Sequence, residues 1–339
     1  MKVAFFQFFP PTIWTPGGGE TQLAKTRHAL EKLGVRVDFF DIWARRRDYD
    51  IMHIFGSTYQ LSDFAVTARR LGMKLVVSPI VYTNKPEWKW RAWRFIDRFM
   101  PVPTGYTYRN RIYEAAHVLL PGSDEEAAQL HTNFCVPLHN MTIVRNAADA
   151  GLAEATGDLF AKKHELQDFV LMVARISRHK GQVRLINALD GQGLDLVFLG
   201  QMDPDDPDYF REFERACEGK PWVHHLGFIS NEEELASAYA AARVHALPSF
   251  SECPGLASLE AGLAGANVVA VKAPTVFEHL GDEAFYCNPS SIDSIRDAVI
   301  RAYEAPLNGR LRERLLADFT WDAVAAKMLD VYEKVLRKM

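Results

Sequence analysis

Four cysteines in 339 residues, Cys135, Cys217, Cys253 and Cys287, stand far apart, with no Cys-x-x-Cys pair and no histidine cluster at zinc spacing. That scarcity argues against a disulfide scaffold and a structural metal module, and fits a reducing compartment. Long apolar runs are missing too: no window approaches the roughly 18 residues a membrane span requires. The opening MKVAFFQFFPP has one lysine and a short apolar run, but Gln7 and the Pro10-Pro11 stop leave no signal core and no small-residue cleavage site, so it reads as a buried first strand. Charge of one sign is not in excess. Lys and Arg number 39 against 43 Asp and Glu, a formal charge of −4, which argues against a general nucleic-acid binder. No repeat of 20 to 50 residues and no low-complexity tract interrupts the chain, and 48% hydrophobic with 24% charged residues is ordinary globular composition.

What the chain does hold is alternation. Short runs rich in Val, Ile, Leu and Phe (VAFFQF, VRVDFF, DIMHIF, KLVVS, HVLLPG, MTIVRN) are separated by longer stretches of helical periodicity, the pattern of an α/β, doubly wound parallel sheet. After a small, polar stretch from Asp149 to Gln167 the pattern restarts with FVLMVAR, LDLVFLG, WVHHLG, RVHALPS, NVVAVKA and AFYCNP. Two Rossmann-like domains are expected, residues 1–155 and 156–318, with a last helix over 319–339. Trp321, Val324, Met328, Val331, Tyr332 and Val335 make an apolar stripe on that helix which needs a surface to pack on.

Three stretches could carry chemistry. In LPSFSECPGLASLEAGLAGANVVA, Glu252 falls in a loop after a strand and Glu260 two turns into the following helix. The first amides of that helix, at Gly255, Leu256 and Ala257, have no partner within it and favour an anion such as a diphosphate. Glu252 could then take hydroxyls of a sugar and Glu260 those of a ribose; the bland alternative is a solvated loop residue and an exposed helix residue. VARISRHKGQ places Arg175 and Lys180 in the loop after the second domain's first strand, suited to a phosphate, with a basic surface loop as the alternative. TPGGGETQ opens the first helix with Gly18, Gly19 and Glu20, where a backbone can approach a ligand closely; a flexible turn is the alternative, and the dinucleotide fingerprint fails because Gln22 stands where its last glycine belongs.

Together, in this order, these stretches resemble glycosyltransferase family 4, the retaining group 1 glycosyl transferases. The resemblance runs over nearly the whole chain, through the glycine loop at 17–20, DIMHIFG, RNAAD, the 175–181 loop, the Glu252 and Glu260 pair and FTWDAVA. It implies a GT-B fold, two Rossmann-like domains facing a central cleft with the last helix crossing back to the first. It also implies transfer of a sugar from a nucleoside-diphosphate sugar to an acceptor hydroxyl, in cell-surface glycan biosynthesis. Arg175 and Lys180 would hold the donor diphosphate, Glu252 the donor sugar and Glu260 the ribose. Because those cations and the helix amides supply the charge a metal would, no metal and no cofactor beyond the donor itself is expected. Two departures stand out. VVSPIVY offers no residue for the imidazole many members carry after a first-domain strand, and Cys253-Pro254 replaces the usual Gly-Phe. A nucleotide-sugar epimerase on the same plan and a non-catalytic sugar-nucleotide binding protein are the rival readings.

Other candidates are plainer. Asp203 to Asp208 (DPDDPD) reads as a solvated loop rather than a metal cluster, and His224-His225 as a strand pair. His53, ending a strand, is either an acceptor-side residue, like Glu20, or a satisfied core histidine. Finally, Asn84 to Tyr113 holds seven basic residues against two acidic ones, interleaved with Trp88, Trp90, Trp93, Phe95 and Phe99. One reading is contact with an anionic membrane or a lipid-linked acceptor, giving a cytoplasmic protein peripheral at the inner membrane face. The other is core, with Trp88, Ala92, Phe95 and Phe99 as a buried stripe.

Overall fold

Five apolar runs of the first 146 residues become strands β1 (Lys2–Gln7), β2 (Arg36–Phe39), β3 (Ile51–Phe55), β4 (Leu75–Ser78) and β5 (Val118–Leu119), in a computed structural model that describes residues 1–8, 18–81, 83, 85–252, 255–307 and 309–337. All pair in parallel in the order β2-β1-β3-β4-β5. Every residue of β3 and β4 is buried, as a parallel sheet covered on both faces demands. The helices of this stretch are α1 (Gly18–Lys32), α2 (Ser62–Arg70), α3 (Glu87–Asp97), α4 (Gly105–Ala115) and α5 (Asp124–Phe134). Local chemistry sets their starts: Thr104 and Thr107 form a reciprocal capping box on α4, and the Ser123 hydroxyl accepts the Glu126 amide at 3.0 Å on α5. The sixth expected strand, MTIVRN, does not form. Its amides at Thr142 and Val144 reach Leu119 and Pro121 carbonyls, but this leaves a single bridge to β5 before the chain departs.

The second half forms β6 (Phe169–Val173), β7 (Leu196–Leu199), β8 (Val223–Gly227), β9 (Ala242–Leu247), β10 (Asn267–Val271) and β11 (Phe285–Cys287), again parallel, in the order β11-β10-β9-β6-β7-β8. Its helices are α6 (Asp158–His164), α7 (Gln182–Leu189), α8 (Pro207–Cys217), α9 (Glu232–Ala241), α10 (Leu256–Ala264), α11 (Pro274–Leu280), α12 (Ile292–Glu304) and α13 (Arg310–Asp318). They cover both faces, giving one core around Phe160, Phe169, Tyr239 and Leu259 and another around Met172, Ile186, Phe198 and Val299.

Residues 1–146 and 321–339 make one compact unit and 147–320 the other, so the division expected at 155/156 falls nine residues earlier. Ala147 and Ala148 are buried, the Ala148 amide bonds the Phe319 carbonyl, and Phe160 is fully buried on α6. These few apolar side chains tie an otherwise polar stretch to the second unit. The last helix, α14 (Trp321–Arg337), belongs to the first unit and packs on α1, its Trp321, Val324, Met328, Val331, Tyr332 and Val335 stripe buried throughout.

Candidate active site

In the second unit β6 and β9 are adjacent and parallel, so the loops that leave them share the carboxyl edge of the sheet, where doubly wound folds bind ligands. One backbone bond joins the two loops, and a side-chain bond braces the first of them. The Phe250 amide donates to the His179 carbonyl at 2.8 Å, and the Gln182 side chain donates to the Arg175 carbonyl at 2.9 Å. Gly181, at φ 83°, passes so close to Pro248 that an added Cβ would lie 2.9 Å from its carbonyl oxygen. The result is that Lys180 Nζ meets Glu252 Oε2 at 2.7 Å, with the two side chains 19% and 11% exposed. Arg175 lies in the same loop, 3.8 Å from Asp203.

Helix α10 begins beside this pair. Gly255 precedes it at φ 79°, where a Cβ would sit 3.0 Å from Glu252 Cγ, so a side chain at this helix entry would be strained. The amides of its first turn, including Leu256 and Ala257, carry the positive end of the helix dipole. Thr275, fully buried, donates its hydroxyl to the Glu252 carbonyl at 3.0 Å and fixes the loop from the other side. Further along α10, Glu260 Oε2 accepts the Tyr239 hydroxyl at 2.7 Å. Burial first, and then the Glu260 charge, pushes the Tyr239 phenol well above its ordinary pKa, so it stays a donor. Tyr239 escaped the sequence reading: on α9 it is one more apolar-face residue, and nothing in its spacing announces the carboxylate it meets. Arg175, Lys180, Glu252, Gly255 and the start of α10 thus gather at one edge, and Glu260 lies one turn into the same helix.

The carboxylates of the acidic run are engaged locally. Asp206 caps α8 by accepting the Tyr209 amide at 3.1 Å, Asp208 pairs with Arg211, and Asp203 accepts the Asp205 amide. Among the described residues no group of three His, Cys, Asp or Glu side chains could hold a metal ion. His224 pairs with Asp195 at 3.0 Å and His225 with the Gly200 carbonyl at 3.0 Å.

In the first unit Gly18 and Gly19 are the first residues of α1, and a Cβ on Gly19 would lie 3.2 Å from Gln7 Nε2, at the end of a side chain on β1. Glu20 follows in the first turn of α1. Thr15 to Gly17, Asn84, Cys253 and Pro254 lie outside the described residues. His53 is corrected to a core histidine. It is fully buried, Nδ1 lies 2.6 Å from the Tyr332 hydroxyl and Nε2 2.9 Å from the Ser78 hydroxyl, and burial lowers its pKa to about 3, leaving neither nitrogen for an acceptor.

The buried stripe expected of Trp88, Ala92, Phe95 and Phe99 also fails. Trp88, Phe95 and Phe99 are 64%, 62% and 72% exposed, while Trp90 is buried, stacked on Trp93 at 5.3 Å and against Phe134 at 5.4 Å. Helix α3 therefore turns its other stripe inward and shows water an apolar face flanked by Lys89, Arg91 and Arg98. Among the described residues no helix is long and apolar enough to cross a membrane.

Two doubly wound parallel units, with the terminal helix returned to the first, define the GT-B architecture. Residues 159–317 match the family of glycosyl transferases group 1. A Mycolicibacterium hassiacum MMP alpha-(1->4)-mannosyltransferase is 24% identical across 97% of this chain and 78% of its own. An Escherichia coli O-antigen chain mannosyltransferase B is 26% identical over 41% of this chain and 37% of its own. In fold, Anabaena HepE bound to UDP superposes with a TM-score of 0.76 at 17% identity, covering 98% of this chain and 100% of its own. Sucrose-phosphate synthase from Thermosynechococcus elongatus superposes with a TM-score of 0.80 at 18% identity over the full length of both chains. The second unit is a group 1 glycosyl transferase domain, and the chain is a glycosyltransferase.

Proposed function

We propose that the enzyme takes its sugar from a nucleoside diphosphate and transfers it with retention at the anomeric carbon. The observation that supports this most is the Lys180–Glu252 pair at 2.7 Å beside the start of α10, a cation and a carboxylate set together where helix amides favour an anion. As the bond from the anomeric carbon to the diphosphate breaks, its electron pair goes to the phosphate oxygen. Arg175, Lys180 and the amides at Gly255, Leu256 and Ala257 stabilise that charge. Glu252, released from Lys180 by the competing diphosphate, accepts hydroxyls of the sugar, and Glu260, held by Tyr239, accepts those of the ribose. The acceptor hydroxyl attacks the face the diphosphate leaves and gives its proton to the departing phosphate oxygen. These cations and dipoles supply the charge a divalent ion would, so activity is expected to survive excess chelator; a loss restored by magnesium or manganese overturns that part.

Relatives named as mannosyltransferases, one of them GDP-mannose-dependent, make GDP-mannose the first donor to test, with UDP-glucose, bound in a solved neighbour, as the second. The acceptor is a glycan or lipid-linked hydroxyl of cell-surface glycan synthesis, met at the inner face of an anionic membrane through residues 85–113. Each donor is incubated alone and with an acceptor panel, and the product anomer is read by NMR. Retained linkage with release of nucleoside diphosphate is expected. Conversion of donor without acceptor would make the enzyme an epimerase, and an inverted anomer would overturn the mechanism.

A further inference from the structure

Between β2 and β3 the chain runs DIWARRRDYD, and beside this loop a cavity of about 230 Å³ opens in the first unit. Its floor is apolar, formed by Phe40, Phe64, Leu71 and Met73, and its rim carries Arg45, Arg46 and Arg47. Phe40 and Phe64 of this floor pack ring on ring with Phe6 and with each other at 4.2 to 5.8 Å, yet Leu71 is left 50% exposed. The acids of the loop are already engaged. Asp48 takes Arg46 and Lys2, Asp50 accepts the Lys2 amide at 2.7 Å, and Asp41 accepts the Trp43 amide at 2.8 Å. Arg45 and Arg47 have no ion-pair partner among the described residues, and the loop around Arg45 is held in the left-handed region at φ 52°, uncommon for a side chain of that bulk. Ile42 and Trp43 stand beside them 52% and 82% exposed. Water is a poor occupant of an apolar floor, and an inorganic anion would use only the rim.

We propose that this cavity binds an anionic amphiphile of the bilayer, the phosphate of a lipid headgroup between Arg45 and Arg47 and its hydrocarbon over Phe40, Phe64, Leu71 and Met73. The site does not depend on the sugar-transfer reading, since it uses none of the residues of the second unit, and it is separate from the exposed face of α3.

Calorimetric titration of the whole chain with dihexanoyl phosphatidic acid below its micelle concentration tests it, with dihexanoyl phosphatidylcholine and inorganic phosphate in parallel. Saturable binding at one molecule per chain is expected for the phosphatidic acid, at least tenfold tighter than for either control. The Arg45→Glu, Arg47→Glu double variant should weaken it at least tenfold. Both residues are exposed, so an unchanged melting temperature will show the variant folded. Leu71→Trp, which fills the cavity, should weaken it as well, and Trp88→Ser on α3 should leave it alone. Inorganic phosphate binding as tightly would reduce the site to a charged patch, phosphatidylcholine binding as tightly would reduce it to an apolar dent, and a folded arginine variant that still binds would place the lipid elsewhere; each overturns the proposal.

Discussion

Lys180 pairs with Glu252 at 2.7 Å, and the proposed exchange of that carboxylate for a diphosphate makes the residue testable. Replacing it with alanine removes a cation from the leaving group and also leaves Glu252 uncompensated, facing the incoming diphosphate. Lys180→Ala is expected to lower turnover two to three decades, on the order of 3 to 4 kcal/mol of transition-state stabilisation. Steady-state turnover within threefold of the parent would remove Lys180 from the chemistry. Tyr239 acts at one remove, through the 2.7 Å bond that orients Glu260. Tyr239→Phe deletes one hydrogen bond to a carboxylate, worth about 1.5 to 3 kcal/mol. If Glu260 serves the ribose in ground state and transition state alike, the loss should appear as a donor KM raised roughly tenfold or more with kcat nearly unchanged. A fall in kcat at constant KM would move Glu260 from donor binding to the reaction itself.

At the scale of elements, α3 shows where periodicity stops informing. Helical spacing separates two stripes, Trp88-Ala92-Phe95-Phe99 and Trp90-Trp93, and both are apolar, so the pattern alone cannot say which one faces in. Phe134 on α5 and Tyr106 on α4 decide it by packing on the Trp90 side. The central strands of both sheets were legible because parallel strands buried on both faces are continuous apolar runs. MTIVRN misled because the same composition also suits an extended segment with a single bridge. The loops around Lys180 and Glu252 were legible as glycine, cation and carboxylate at strand ends, whereas Thr275 and Tyr239 were not, being brought in by tertiary packing alone. The exposed stripe of α3, with Lys89, Arg91 and Arg98 beside it, should bind vesicles containing anionic lipid and lose them as salt rises. Arg94, which donates to the Cys135 sulfur, is left in place. Lys89→Glu, Arg91→Glu and Arg98→Glu together should weaken cosedimentation strongly, and Trp88→Ser with Phe99→Ser should weaken it at constant charge. Equal binding to neutral vesicles, or none to either, would leave the stripe as plain surface.

For the molecule as a whole, acid is a sharper probe of folding than heat alone, because buried groups in the two units respond to it differently. In the first unit burial brings His53 to about 3, while burial raises Glu126 to about 7 against the two backbone amides, at 2.7 and 2.6 Å, that hold its carboxylate. As pH falls below 6.5, unfolded chain takes up a proton on His53 that the folded chain refuses, and stability is lost. Between 7 and 4.5 the folded chain instead holds a proton on Glu126 that the unfolded chain releases, and stability is gained, so the two largely offset. The second unit has His245, fully buried on β9, with neither ring nitrogen hydrogen-bonded and a pKa lowered by burial to about 3. There acidification from pH 6.5 to 5 should cost about 2 kcal/mol through this residue alone. His245→Leu removes both the orphaned ring nitrogens and the proton linkage. Its gain should therefore be larger at pH 5 than at pH 7 by about 2 kcal/mol, roughly 4 to 8 °C in the melting temperature of a unit this size. Calorimetry of parent and variant at the two pH values measures the difference directly, and an equal gain at both would mean that His245 carries its proton in the folded protein or that its nitrogens find partners there.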